Sequence, residues 1–225
     1  MTMPLRALKA RLSTCAATAA IVAAGFTGMV VVPGRTLAQE LAAKQKNPPS
    51  VTADAPTRRE AMIVALGSAK PHPSLGAEAK VFDQLVGAWD CDFSFHADNG
   101  SIRHKRGQVL FGWILDGRAI QDIWITYPEK GEQERRIGTS LRFFDTALQQ
   151  WRVVFLGPQS NYIVVVQGGR QGDRIVLTGV DTDGAQIRWS FNDIGRDSFV
   201  WRGEKSRDGG TTWKLEEEHR MRRRD

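Results

Sequence analysis

The chain has 225 residues, of which 41% are hydrophobic, 25% charged and 8% aromatic. This balance is that of a globular protein with one large or two small domains, and it excludes a disordered tail, a collagen-like repeat and a disulfide scaffold. The net charge of +6 suggests a nucleic-acid binder, but Arg6, Lys9, Arg11 and Arg35 supply +4 of it within residues 1–38. The remaining 27 basic and 25 acidic residues nearly cancel, so the composition argues against nucleic acid as a partner.

Residues 1–38 have the pattern of a secretory signal peptide. A basic start precedes Cys15–Val32, a run of 18 uncharged residues, and Thr36-Leu37-Ala38 supplies the small residues that signal peptidase requires. Because six of the 18 residues are alanine, the run is weakly hydrophobic, which favours cleavage over retention as an anchor. The sequence therefore predicts a periplasmic or secreted protein with no stable membrane contact after cleavage. Cleavage leaves Cys91 alone, which excludes an internal disulfide.

Residues 39–74 are rich in Ala, Lys, Pro, Ser and Thr, a composition typical of a flexible tether. Within this segment, Thr57–Leu66 has the pattern of a short helix, with its first residue as N-cap and Glu60 three residues later. The domain predicted at residues 75–225 is about 150 residues long, a normal size for one domain. A second short helix is predicted at Ala77–Leu85, immediately before the first strand.

Within residues 75–225, hydrophobic residues alternate with polar ones instead of recurring every three or four positions. The clearest runs are Trp89–Phe95, Ile137–Phe143 and Ile187–Phe191. Such alternation is typical of strands with one face on a core and the other in water. Turn sequences such as Asp98-Asn99-Gly100 separate the runs at near-regular spacing. The sequence thus predicts an all-β fold: an antiparallel up-and-down β-barrel of about 8–10 strands, preceded by a short helix.

Gly87-Ala88-Trp89 enters the first predicted strand directly after the short helix. Three further stretches follow in order along the domain: Leu115–Asp122, Gly138–Asp145 with Trp151, and Asp208–Trp213. On these motifs, about 150 residues of the chain resemble the calycin superfamily, and within it the bacterial lipocalin-like domains of unknown function. In lipocalins the Gly-x-Trp opens the first strand, its Trp closes the barrel floor, and an Arg late in the chain packs over the indole. The resemblance therefore implies structural roles for Gly87, Trp89 and Arg223.

The last predicted strand must pair antiparallel with the first if such a barrel closes. One face of the last strand carries its apolar residues and points inward, with the members Trp213, Leu215, Glu217, His219, Met221 and Arg223. Aligning Trp89 with Arg223 gives the pairs Cys91–Met221, Phe93–His219 and Phe95–Glu217. Charged side chains in an apolar cavity are costly unless they are paired or used. We therefore interpret Glu217 and His219 as groups that orient a ligand.

Aromatic residues are the second sign of a binding cavity. Five of the seven Trp residues lie within predicted strands: Trp113, Trp124, Trp151, Trp189 and Trp201. Several rings around one cavity would suit a flat apolar ligand. The predicted cavity walls are Phe93, Phe95, Trp113 and Trp189.

Ser206–Trp213 fits the Asp-box of sialidases and other propellers, in which the box recurs from blade to blade. Here the box occurs once, in a chain too short for a six-bladed propeller. We therefore interpret Asp208 and Trp213 as structural parts of a tight hairpin turn and not as catalytic residues.

The sequence predicts a monomeric or weakly dimeric barrel that binds a small hydrophobic or amphipathic ligand, with no cofactor, no metal and no catalytic residue. Three alternatives stay open. The barrel could be an isomerase-type or cyclase-type enzyme with Glu217 and His219 as acid–base partners. It could bind haem through His219, since the haem-binding nitrobindin-like calycins also place their ligating His on a last strand. It could also be a structural barrel whose interior is filled by large side chains.

Overall fold

A computed structural model describes residues 58–224. The predicted signal peptide, the first part of the predicted tether and the Thr57 cap lie outside the described residues. Helix α1 spans Arg58–Leu66, and a two-residue strand, β1, spans Gly67–Ser68. A 3₁₀ helix at Pro73–Glu78 runs into helix α2 at Ala79–Asp83, where the sequence predicts one helix over Ala77–Leu85. No helix in the described part of the chain has the length and apolar character needed to cross a membrane.

Ten long antiparallel strands follow. Their bounds are β2 Gly87–His96, β3 Ile102–Ile114, β4 Ala119–Thr126, β5 Arg136–Asp145, β6 Gln150–Gly157, β7 Tyr162–Gln171, β8 Arg174–Val180, β9 Gln186–Asn192, β10 Ser198–Ser206 and β11 Lys214–Arg223. Each long strand pairs with the next along the chain, and β11 pairs with β2, so the sheet closes on itself. The predicted antiparallel up-and-down barrel with a short preceding helix is confirmed.

Ordered structure begins earlier than the predicted domain boundary at residue 75. Gly67 and Ser68 lie inside the predicted tether, yet they pair with Ile114 and Trp113 at the end of β3. The segment after β1 runs close to the turn between β3 and β4. A Cβ atom on Gly117 would lie 2.2 Å from the Lys70 carbonyl oxygen, and Gly117 has a φ of +76°. Only glycine fits this close approach in that conformation.

The pairing of β11 with β2 has the register predicted from the sequence. Arg223 lies opposite Trp89, and the other three predicted pairs are also found: Cys91–Met221, Phe93–His219 and Phe95–Glu217. A shift of one residue would have turned every one of these side chains to the opposite face of the sheet. The register therefore places His219 and Glu217 on the inner face.

Trp89 closes the barrel at the end where α2 lies. Its side chain is completely buried, and its indole N–H donates a hydrogen bond of 2.8 Å to the Leu85 carbonyl oxygen. The Phe199 ring meets the indole edge-on, with 4.7 Å between ring centroids. Phe82 of α2 packs edge-on against Trp151 in the same end of the barrel, at 4.9 Å. Large buried rings thus fill this end completely.

Arg223 fixes the start of β2 to the end of β11. Its guanidinium carbon lies 4.0 Å from the centroid of the Trp89 ring, so the predicted stacking is confirmed. The guanidinium also donates hydrogen bonds to the carbonyl oxygens of Val86 and Gln84, at 2.9 and 3.1 Å. Gly87 has a φ of +132°, and a Cβ atom there would lie 2.6 Å from Nη1 of Arg223. The structural roles that the resemblance implies for these residues therefore have a physical basis.

The turn between β10 and β11 is built around Asp208, as predicted. Its carboxylate accepts hydrogen bonds from the Thr212 hydroxyl, from the Thr211 and Thr212 N–H groups and from the Ser206 hydroxyl. The indole of Trp213 donates to the Gly210 carbonyl oxygen at 3.0 Å. These contacts are internal to the hairpin, which agrees with a structural turn.

The hydrogen bonds to the Asp208 carboxylate, the one from the Thr212 hydroxyl foremost, lower the pKa of Asp208 to about 2. Because the folded-state pKa lies below the ordinary value of 3.8, the stabilisation is complete above about pH 4 and is lost as the pH falls through 2. We expect Asp208→Asn to lower the thermal unfolding midpoint equally at pH 7 and pH 5, and by less at pH 3. Circular dichroism melts measure this, with Asp173→Asn in the β7–β8 turn as the control. An equal effect at all three pH values would contradict the assignment.

Candidate functional site

The half of the barrel away from α2 encloses a cavity of about 520 Å³. Eight of the 25 residues that line it carry rings: Phe93, Phe95, Trp124, Phe155, Tyr162, Trp189, Trp201 and His219. A cavity of this volume, lined by aromatic rings together with charged and polar groups, can hold a small molecule. The interior is therefore not filled throughout, which argues against the structural-barrel alternative.

The structure brings three of the four predicted wall residues to this cavity. Phe93, Phe95 and Trp189 line it, whereas Trp113 does not. Trp113 lies one residue before the end of β3, at the closed end, where it is only 3% exposed. Its indole N–H donates a hydrogen bond of 2.8 Å to Asp83 of α2. The prediction for Trp113 was wrong because alternation determines which face of the sheet a residue occupies but not its position along the barrel axis.

Other wall residues were missed as specific candidates. Trp124 of β4 and Trp201 of β10 both face the cavity, and their ring centroids lie 5.6 Å apart. Phe155 of β6 meets Trp189 edge-on at 6.0 Å. Each of these residues occupies an inward position of its strand, so the alternation of the sequence was a usable signal for them.

His219 and Glu217 contact each other within the wall. The Nε2 atom of His219 lies 2.9 Å from Oε2 of Glu217. The imidazole is buried and stacks on Trp201, with ring centroids 4.9 Å apart and planes at 13°. Phe93 meets the imidazole edge-on at 4.8 Å. The pair is therefore held in place by rings, with Glu217 nearer the mouth of the cavity.

A β-bulge near the start of β11 changes which of its residues face the cavity. The pairing with β10 is regular as far as Gly203–Glu217, and then Glu204 pairs with Leu215, so Glu216 is skipped. As a result Glu216 joins Glu217 in the cavity wall, while Leu215 and Trp213 do not line it. The predicted inward face of β11 was therefore wrong for those two residues. A bulge adds one residue to a strand and reverses the alternation beyond it.

Tyr162 and Asp181 form a second polar pair in the cavity wall. Burial, together with a hydrogen bond to Asp181, raises the pKa of the Tyr162 hydroxyl. Burial acts to raise the pKa of Asp181 as well, but hydrogen bonds from Lys205, from the Thr182 N–H and from Tyr162 leave it below its ordinary value. Asp181 is therefore an anion that is already paired, and Tyr162 is a neutral hydroxyl.

Deep in the cavity wall, Arg142 of β5 forms a buried ion pair with Asp122 of β4. Nη2 of Arg142 contacts one carboxylate oxygen of Asp122, and the other oxygen accepts the Ser140 N–H at 2.7 Å. The guanidinium lies over the rings of Phe82 and Phe111, at 5.1 and 5.4 Å from their centroids. A charge buried in this way is tolerated because it is paired and because the ring faces attract it.

Buried polar atoms without a hydrogen-bond partner concentrate at the cavity. Within residues 58–224 there are five such side-chain atoms, and four belong to cavity-lining residues: Thr126 Oγ1, Arg142 Nε, Arg142 Nη1 and His219 Nδ1. An unpartnered buried polar atom costs free energy unless a water, an ion or a bound group satisfies it. This concentration was not visible in the sequence.

Among the described residues that line the cavity, no nucleophile–base pair is found; the Ser94–His104 and Ser74–His72 hydrogen bonds are exposed and lie outside it. Cys91 is buried, its thiol contacts the sulfur of Met221 at 3.7 Å, and burial raises its pKa, so the thiol stays protonated. No Ser, Thr or Cys in residues 58–224 hydrogen-bonds to His219, whose partner is Glu217. In the same range, His, Cys, Asp and Glu side chains form no cluster of three or more that could hold a metal ion.

The residues around His219 do not fit haem. An axial ligand must present a ring nitrogen with open space beyond it. Nε2 of His219 faces Glu217, and Nδ1 is buried in the wall. The imidazole face is covered by Trp201. We therefore assign no haem chemistry to this cavity.

Comparison with protein-family models and with curated proteins found no match. Two solved structures have similar folds. The S-type phycobiliprotein lyase CPES from Guillardia theta is 14% identical over 65% of this chain and 92% of its own length, with a TM-score of 0.50. Rv2717c from M. tuberculosis is 14% identical over 69% of this chain and 100% of its own length, with a TM-score of 0.51. The protein has a calycin-like barrel fold.

At this level of identity the likeness concerns the fold alone. The calycin-like fold implied by Gly87-Ala88-Trp89 is thereby confirmed. The narrower resemblance to bacterial lipocalin-like domains of unknown function stays a prediction.

Proposed function

We propose that the protein is an exported binding protein whose barrel takes up a small, flat, hydrophobic or amphipathic molecule. The observation that carries the proposal is the cavity of about 520 Å³, whose wall includes seven Phe, Trp and Tyr residues. Export rests on the signal-peptide pattern of residues 1–38. Transfer of the ligand from water into this wall supplies the binding free energy, at about 25 cal/mol for each Å² of apolar surface removed from water.

The closed end favours binding over a purely structural role. Trp89, Trp151 and Phe82 are completely buried at that end, and none of them lines the cavity. Trp124, Trp189 and Trp201 instead present rings to a cavity. The Glu217–His219 pair lies in the same wall, and we assign it a hydrogen bond to a second polar group of the ligand. The phycobiliprotein lyase shares the barrel fold, and no activity is transferred from it.

We expect the protein to bind N-phenyl-1-naphthylamine, a neutral probe whose fluorescence rises in apolar surroundings. Thr126→Trp should weaken this binding at least about tenfold, because it places an indole inside the cavity, where Thr126 is part of the wall. Fluorescence titration gives the dissociation constants, and circular dichroism verifies folding. If Thr126→Trp does not fold, Thr126→Phe makes a smaller addition at the same position.

The matched control is Thr178→Trp, the same substitution at an exposed position of β8. It should leave the dissociation constant for the probe within about twofold of the wild-type value. Absence of saturable binding to the wild-type protein, or equal binding by both Trp variants, would overturn the proposed function.

A further inference from the structure

Charges of opposite sign line opposite sides of the cavity. The four basic residues of the wall lie on β3 and β5: Arg103, Lys105, Arg136 and Arg142. This group is called the basic wall below. The four acidic residues lie on β10, on β11 and just after β8: Asp181, Glu204, Glu216 and Glu217. The cavity wall therefore carries basic residues on one side and acidic residues on the other.

Two basic side chains, Arg188 and Lys205, partly neutralise the acidic side. Glu204 pairs with Arg188 at 2.8 Å, and Asp181 pairs with Lys205. Lys205 also lies 3.8 Å from Glu216. Glu217 contacts His219, as described above. A cationic ligand group would have to displace these partners.

The basic wall keeps an excess of positive charge. Among the residues that the structure describes, Arg103 and Arg136 have no carboxylate within ion-pair distance, and Arg103 lies over the Phe95 ring at 4.9 Å. Arg142 is 2% exposed and has two donor atoms, Nε and Nη1, without a partner. Because Arg142 is buried and paired with Asp122, it is Arg103 and Arg136 that retain capacity for an anion.

The chain itself places a carboxylate against this wall. Lys105 is almost completely buried, and its ammonium group pairs with Glu132 from the segment between β4 and β5. The hydrogen bond from Lys105 lowers the pKa of Glu132, with a smaller contribution from the Glu129 N–H. The wall therefore already binds one acidic group in this protein.

We infer that the ligand is an aromatic acid, with its rings between the Trp residues of the cavity and its anionic group against the basic wall. This inference rests on the proposed function, because it names the chemical class of the molecule that the cavity takes up. Arg103 and Arg136, which are both exposed, attract the anionic group at the mouth. Arg188 and Lys205 already pair with Glu204 and Asp181, whereas among the described residues no carboxylate pairs with Arg103 or Arg136, and this difference favours an anionic group over a cationic one.

Two probes with the same ring system separate this inference from the proposed function. N-phenyl-1-naphthylamine is neutral, and 8-anilinonaphthalene-1-sulfonate is the same molecule with one added sulfonate. We expect the double variant Arg103→Gln/Arg136→Gln to bind the sulfonate probe about fivefold more weakly and to bind the neutral probe within twofold of the wild type. Both arginines are exposed at the mouth, so the substitutions leave the core unchanged.

The matched control is Arg170→Gln/Arg174→Gln, which removes two positive charges from exposed positions of the β7–β8 hairpin. It should change neither dissociation constant by more than about twofold. An unchanged ratio of the two dissociation constants in Arg103→Gln/Arg136→Gln, or an equal change in the control, would overturn the inference while leaving the proposed function intact. Failure of the neutral probe to bind the wild type would instead overturn the proposed function.

Discussion

Arg142→Met is expected to lower the free energy of unfolding by about 3–5 kcal/mol, because it leaves the carboxylate of Asp122 buried without its cation. Asp122 is completely buried, and its remaining contact is the Ser140 N–H. Methionine keeps most of the apolar part of the Arg142 side chain. The loss of stability therefore reflects the missing charge more than missing packing contacts. Urea denaturation at pH 7, followed by tryptophan fluorescence, measures the change.

The double variant Asp122→Asn/Arg142→Met separates an unpaired charge from a general packing defect. Asparagine keeps an oxygen acceptor for the Ser140 N–H and removes the negative charge. We expect the double variant to recover at least half of the stability that Arg142→Met loses. A double variant less stable than Arg142→Met would show that the ion pair is not the origin of the loss.

Most of the fold could be predicted from the sequence because a barrel imposes two simple rules. Inward and outward side chains alternate, and the last strand must meet the first. These rules alone predict that His219 lies opposite Phe93, and the structure has that pair. The start of the domain was less predictable. Two residues of β1 pair with β3, which is too short a strand to leave a pattern in the sequence.

The candidate site was only partly predictable, since its decisive residues look like ordinary strand residues. Asp122 and Arg142 are polar residues within strands, and local alternation suggests that polar residues face water. Their pairing depends on two neighbouring strands facing the same interior, which no local pattern reports. The β11 bulge is a second example, because Glu216 is one of three consecutive glutamates and nothing in that run marks the residue that the pairing skips.

Trp89→Ala is expected to lower the free energy of unfolding by about 3–5 kcal/mol, the range for removing a large buried ring. The substitution empties the closed end of the barrel, and it leaves both the Leu85 carbonyl oxygen and the Arg223 guanidinium without the indole. Trp213→Ala is the control, since Trp213 packs under Arg188 at the hairpin surface and should cost less than half as much.

The same variant tests whether the two ends of the barrel have separate tasks. Trp89 does not line the cavity, whereas Trp189 does. Folded Trp89→Ala protein, at a temperature well below its unfolding midpoint, should therefore bind N-phenyl-1-naphthylamine with a dissociation constant within about twofold of the wild-type value. Titration at a series of urea concentrations below the transition measures this. A large loss of affinity with little loss of stability would mean that the closed end forms part of the binding site. The expected result, a large loss of stability with unchanged affinity, would show that the Gly87-Ala88-Trp89 segment maintains the barrel while the other end binds the ligand.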